Sequence, residues 1–351
     1  MKNELSILAS RDCICVNKQI YIFTEKGSMP VCVDCLTEDI TFLPIDSTFD
    51  KQKKAIDLMI NVEQKIYAVE MSGEHLIEFD IEFNKFRYID LNCNFEIDRN
   101  VILMEHVNGV VYLFTRTGKK LVMYDIEQNS MEYISYPEGS VSEYSCGIRI
   151  DNDIWVFPKE GKEVLCFNII DREWNKIILK EKLQDCIHVA KDNKNILILE
   201  KKGVLINYDI TDGNILWKFE IESKDSEESM VSRILCTNKK LVILPSQGTD
   251  IYIYDKFSQN LEKYNEYPEE FHYLEWKWSK YYGYCEDEEK YYCSIRISNA
   301  FLTIDKDTGE IEWILPNIQE KHMLEHKIFV AGGMIKEEVG ELKSFIKYVC
   351  K

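Results

Sequence analysis

The sequence predicts a single all-β domain over residues 1–351, a propeller of four-stranded antiparallel blades. Three observations carry this expectation. An apolar segment closing on an Asp or Asn recurs seven times, a second apolar strand runs just ahead of each, and a turn glycine separates the two in six of the seven repeats.

The recurring segments are VCVDC (31–35), LIEFDI (76–81), LVMYDI (121–126), VLCFNI (164–169), LINYDI (205–210), IYIYDK (251–256) and FLTIDK (301–306). Their anchor residues are Asp34, Asp80, Asp125, Asn168, Asp209, Asp255 and Asp305, spaced by 46, 45, 43, 41, 46 and 50 residues, a drift that loop insertions produce in a repeat. The preceding strands include Ile20–Phe23, Ile66–Val69, Val111–Phe114 and Ile154–Phe157. Gly27, Gly73, Gly118, Gly161, Gly203 and Gly248 supply the hairpin turns, and the seventh repeat has Ser298-Asn299 in that place, where Asn is expected to take the positive φ. A later strand, often opened by an aromatic (Phe86, Trp174, Trp217, Trp313), and an earlier one in a tight hairpin, as in GIRIDNDIWVF, complete four strands per repeat.

The ends set the expected closure. HMLEHKIFVAGG (322–333) and LKSFIKYV (342–349) begin an eighth repeat that lacks its outer strand, and residues 4–8 form a spare strand. The expectation is therefore eight blades closed by the N-terminal strand, which would remove open edges. The alternative is seven blades plus a C-terminal hairpin.

Against 43 Lys and Arg stand 61 Asp and Glu, a formal charge of −18. Such a surface repels phosphate backbones and anionic lipid heads, so neither nucleic acid nor membrane is an expected partner. No apolar run approaches a membrane span or a secretory leader core, which makes a cytoplasmic location the expectation. Most of the twelve cysteines fall within apolar strand patterns and read as reduced, buried thiols. Cys32-x-x-Cys35 beside Cys13-x-Cys15 has the composition of a zinc site, but residues three apart on a strand point to opposite faces. His322 and His326 would share a face only on a helix, and their setting is a hairpin. No metal and no cofactor are expected.

The rhythm of hairpin, Gly turn, Tyr-Asp step and later Trp resembles the kelch and galactose-oxidase type of repeat, and DITDGNILW (209–217) and DKDTGEIEW (305–313) resemble the quinoprotein repeat. The resemblance implies the fold and blade-to-blade packing of Trp174, Trp217 and Trp313. The adjacent cysteines of quinoprotein dehydrogenases and the Tyr, His and Cys copper set of galactose oxidase have no counterpart in this sequence. The anchor Asp, replaced by Asn168 in one repeat, reads as a turn-forming acceptor.

Function is expected from residues outside the repeat. The loop 265–285 is rich in aromatics and includes His272, Trp276, Trp278 and Tyr281, while other loops entering the innermost strands bring Arg99, Glu143, Tyr144 and Arg233. Aromatic and charged side chains on a loop rim have the composition of a binding surface. The primary expectation is a non-catalytic scaffold that presents this rim to a protein or peptide partner. The alternative is a cytoplasmic enzyme or sensor binding a carbohydrate or small polar metabolite in the axial pocket, with Arg149 and Glu105 facing the channel or each other.

Overall fold

A computed structural model describes residues 8, 10–23, 30–43, 56–70, 73–91, 101–117, 120–211, 213–221, 231–273 and 279–317. Among these, the chain forms seven four-stranded antiparallel sheets, each from one contiguous stretch. The blades cover 14–42, 56–90, 101–135, 144–184, 186–220, 231–264 and 281–314.

Alternation of side chains along each strand explains why the blades stack. In Lys65–Glu70, Ile66 and Ala68 point into the apolar cluster shared with blade 1, whereas Tyr67 and Val69 point into the cluster shared with blade 3. Both faces of a blade are buried, so its strands read as continuous apolar runs rather than as alternating ones. Seven such clusters occur, one for each pair of neighbours around the ring.

The cluster between blades 7 and 1 corrects the expectation of eight blades. Cys13, Ile20 and Val31 pack directly against Cys285, Tyr292 and Phe301, which leaves no gap for a further blade. Ion pairs from Lys18 Nζ to Asp287 and Glu289, each 2.8 Å, cross the same seam. Leu8 is buried there and exchanges backbone hydrogen bonds with Ser298, at the hairpin turn of blade 7 and not along an outer strand. The expected C-terminal hairpin, 322–349, lies outside the described residues. The chain alone could not reveal this, because an apolar segment of blade length has the same pattern whether or not the ring has room for it.

Each anchor is the last residue of the third strand of its blade. Asp34 Oδ1 accepts from the N–H groups of Leu36 and Thr37 at 2.8 and 2.9 Å, and Asn168 Oδ1 accepts from Ile170 and Asp171 at 3.0 and 2.9 Å. The common requirement is a side-chain carbonyl or carboxylate oxygen, which is why Asn can replace Asp. The hairpin turns follow the sequence at Gly73, Gly203 and Gly248, whose φ values are 64°, 83° and 74°. In blade 7 the expectation fails: Ile297, not Asn299, takes the left-handed conformation, at φ 86°. Asn299 is engaged elsewhere, its side chain donating to Glu270 O and accepting from His272 N. The aromatics that open the outer strands pack as expected. Trp174 lies 4.9 Å from both Tyr136 and Phe167, and Trp217 lies 6.0 Å from Tyr254 of the next blade.

Candidate functional site

The innermost strands, Ile14–Val16, Ile56–Val62, Val101–Val107, Tyr144–Ile150, Cys186–Asp192, Val231–Cys236 and Tyr281–Glu286, surround an axial cavity of ≈ 740 Å³. In blades 2 to 7 the pairing of this strand with its neighbour slips by one residue near its start, at Ile56/Leu58, Val101/Leu103, Tyr144/Cys146, Cys186/His188, Val231/Arg233 and Tyr281/Tyr284. A bulge re-aims the side chains beside it. Repeated six times on one face, it places Asp57, Ser145, His188, Arg233 and Tyr282 at or near the cavity mouth, joined by Asp12 ahead of blade 1 and by Arg116 after the second strand of blade 3.

These groups form one network. Arg11 Nη2 lies 3.3 Å from Asp57 Oδ1, and the guanidinium carbons of Arg11 and Arg233 lie 4.5 and 5.0 Å from the centroid of the Tyr282 ring. The Tyr282 hydroxyl donates to Asp57 at 3.4 Å, and Met59 N–H donates to Asp12 Oδ2 at 2.8 Å. Arg116 pairs with Glu143 at 3.4 Å, and Lys159 pairs with the same carboxylate at 3.3 Å. Among the described residues, Arg233 donates only to the carbonyl of Ser232, at 2.8 Å, and has no carboxylate partner within ion-pair distance.

Burial pushes Asp12 up to about 7, against the opposing hydrogen bonds of Met59 and Cys13. Burial also raises Asp57, with Arg11 and Arg116 opposing it. His188 moves the other way: burial, helped by Arg233, pushes it well below the usual histidine value. Its Nδ1 accepts the Ile234 N–H at 3.3 Å, so the neutral ring carries its proton on Nε2. Among the described residues, four cations (Arg11, Arg116, Arg233, Lys159) thus gather with three carboxyl groups, those of Asp12, Asp57 and Glu143. In a chain of net charge −18, basic side chains outnumber acidic ones among the described residues of the mouth. Apolar side chains such as Leu58, Leu103, Val189 and Ile234 also line the cavity, and further along the innermost strands Glu105 lies 4.0 Å from Arg149. Burial raises Glu105 to about 7, with Arg149 opposing.

The residues singled out in the sequence are distributed unevenly. Arg233 lines the cavity and Glu143 stands at its rim through Arg116. Tyr144 and Tyr281 are fully buried, Tyr144 against Tyr136 at 5.5 Å and Tyr281 in the cluster between blades 6 and 7. His272 is exposed, away from the cavity lining. Arg99, Trp276 and Trp278 lie outside the described residues. Within loop 265–285, Tyr267 and Phe271 stack at 5.0 Å and both lie against Trp313, at 4.9 and 5.1 Å, whereas Tyr282 and Tyr284 line the cavity. Arg11, Asp12, Asp57, Arg116, His188 and Tyr282 were missed. Asp57 and Tyr282 occupy the bulge position of their innermost strands and His188 the position after it, whereas Arg11 and Asp12 precede blade 1 and Arg116 follows a second strand, so no single repeat position marks them.

Metal-ligating types converge elsewhere. In the hairpin turn of blade 2, ligand atoms of Glu70, Glu74 and His75 lie within 4.8 Å of one another, and His75 Nδ1 is 2.9 Å from Glu70. The four cysteines near residue 32 do not converge on one point: Cys32 packs toward blade 2, while Cys13 and Cys15 pack toward blade 7, with Cys35 hydrogen-bonded to Cys15.

Fold and cavity define the chain as a seven-bladed β-propeller with a charged axial mouth. No protein-family model matches the sequence, and no curated protein matches it. Solved structures do. A streptogramin B lyase superposes with a TM-score of 0.64 at 10% identity, covering 84% of this chain and 93% of that one. A catalytically inactive variant of virginiamycin B lyase from Staphylococcus aureus, with quinupristin, gives 0.63 at 12% identity, covering 84% and 95%. The extracellular domain of BT4673 from B. thetaiotaomicron gives 0.58 at 10% identity, covering 89% of this chain and 46% of that one. At these identities the likeness establishes the propeller fold, and the kelch and quinoprotein resemblances gain no family match.

Proposed function

We propose that this propeller binds a small polar metabolite bearing an acidic group, held at the axial mouth. The observation that carries this reading is Arg233, a cavity-lining guanidinium with no carboxylate partner among the described residues, in a mouth where described basic side chains outnumber acidic ones although the protein is acidic. A guanidinium offers paired donors that match carboxylate or phosphate oxygens. The apolar side chains of the lining would accept the rest of the ligand, as is usual for concave sites with few convergent polar groups. The scaffold reading shares the fold, but two of the loop aromatics, Tyr267 and Phe271, are engaged in packing against Trp313, and Tyr281 is buried between blades. The solved relatives include a lyase and an extracellular domain, so fold alone selects neither catalysis nor sensing.

A thermal-shift panel of di- and tricarboxylates, sugar phosphates and uncharged sugars tests the reading. At least one anionic compound should stabilise the protein, and Arg233→Ala should weaken its binding by about tenfold or more, as expected for a hydrogen bond to a charged group. Stabilisation by uncharged sugars alone, or equal binding by Arg233→Ala, would overturn it.

A further inference from the structure

We propose that Cys146 and Cys186 form a redox-active pair at the wall of the axial cavity, which a hydroperoxide entering through the mouth converts into a disulfide joining blades 4 and 5. Cys146 follows the bulge of its innermost strand and lines the cavity, while Cys186 opens the innermost strand of the next blade. Their sulfurs are 3.5 Å apart, both residues are buried, and Ser145 Oγ lies 3.7 Å from Cys146 Sγ.

The surroundings make the two thiols unequal. Burial is the largest influence on Cys146 and works against its ionisation, but the hydrogen bonds of Cys186 and Ser145 and the charges of Arg233 and Arg116 together lower it. Cys186 is held well above the ordinary thiol value, by its bond to Cys146 and then by burial. The arrangement favours ionisation of Cys146, which lines the cavity, with Cys186 as its protonated partner. A second pair, Cys13 and Cys285, lies 3.7 Å apart across the seam between blades 7 and 1, and serves as an internal comparison. There burial, Cys13 and Asp12 all raise Cys285.

The chemistry balances without a bound cofactor. The Cys146 thiolate attacks one oxygen of hydrogen peroxide, the S–O bond forms as the O–O bond breaks, and the departing hydroxide takes the proton of the Cys186 thiol to become water. The Cys186 thiolate then attacks the Cys146 sulfenic acid, the S–S bond forms as the S–O bond breaks, and a second water leaves. Two thiols are oxidised by two electrons and one peroxide is reduced to two waters. The sulfurs must close from 3.5 Å to about 2 Å, a movement within reach of side-chain rotation.

The test uses the reduced full-length protein with no ligand added, so its outcome is separate from that of the binding reading. After one equivalent of hydrogen peroxide, maleimide quenching and tryptic digestion, mass spectrometry should find the peptide 121–149 linked to 183–191 before any link between 12–18 and 281–290. Cys186→Ser should accumulate a Cys146 sulfenic acid that dimedone traps. Arg233→Ala should slow the oxidation by about threefold, with Arg233→Lys restoring the rate. Recovery of Cys146 and Cys186 as separate maleimide adducts while the comparison pair is oxidised, or an unchanged rate in Arg233→Ala, would overturn the proposal.

Discussion

Gly283→Ala is expected to destabilise the protein by about 3 kcal/mol and to lower the melting temperature by about 6 °C. A Cβ on Gly283 would stand 2.2 Å from Asp12 Oδ1, 2.5 Å from Arg11 O and 2.5 Å from Asp12 Cα. Two of those three atoms are backbone and cannot rotate away, so the innermost strands of blades 1 and 7 would have to separate. Among the described residues no outer strand is exchanged between these blades, and the seam is held by packing, by the Leu8–Ser298 bridge and by the pairs made by Lys18. Differential scanning calorimetry reads the effect. A melting temperature equal to that of the wild type would show that the seam does not close as described.

The second large effect is a pH-dependent gain from Asp12→Asn. Burial raises Asp12 from 3.8 to about 7 in the folded protein, so between these values the folded state binds a proton that the unfolded chain has lost. The contribution of this group to stability is full below about pH 4, falls as pH rises to about 7 and stays lost above it. Asparagine removes the ionisation and keeps an oxygen for the Met59 N–H. The variant should match the wild type near pH 4 and exceed it by about 4 kcal/mol, about 8 °C, at pH 8. A difference that does not change with pH would mean that Asp12 is ionised in the folded state across the range.

Much of the fold was legible because its determinants are local. Asp34 through Asp305 end their strands and cap their turns with side-chain oxygens, requirements met within a few residues of each anchor. The blade count was not legible to the same degree. Whether residues 4–8 complete an eighth blade depends on the width of the ring, and the direct packing of Cys13 on Cys285 across 272 residues leaves no local trace. The same holds for Ile297, whose positive φ follows from the commitments of Ser298 to Leu8 and of Asn299 to His272. For the site, Arg233 and Glu143 could be found as charged residues entering innermost strands. Tyr144 and Tyr281 shared that position but face between blades, because a one-residue bulge decides which of two consecutive side chains meets the axis. Arg116 comes from a different loop and meets the others only in the folded ring.

The central claim is that the axial mouth, between Arg116 and Arg233, is where this propeller holds an anion. A crystal soaked in selenate, a tetrahedral oxyanion with a strong anomalous signal, tests it most directly. The expected result is an anomalous peak in the mouth beside the guanidinium of Arg233, lost in Arg233→Ala crystals. Peaks confined to the outer surface, with none in the mouth, would contradict it.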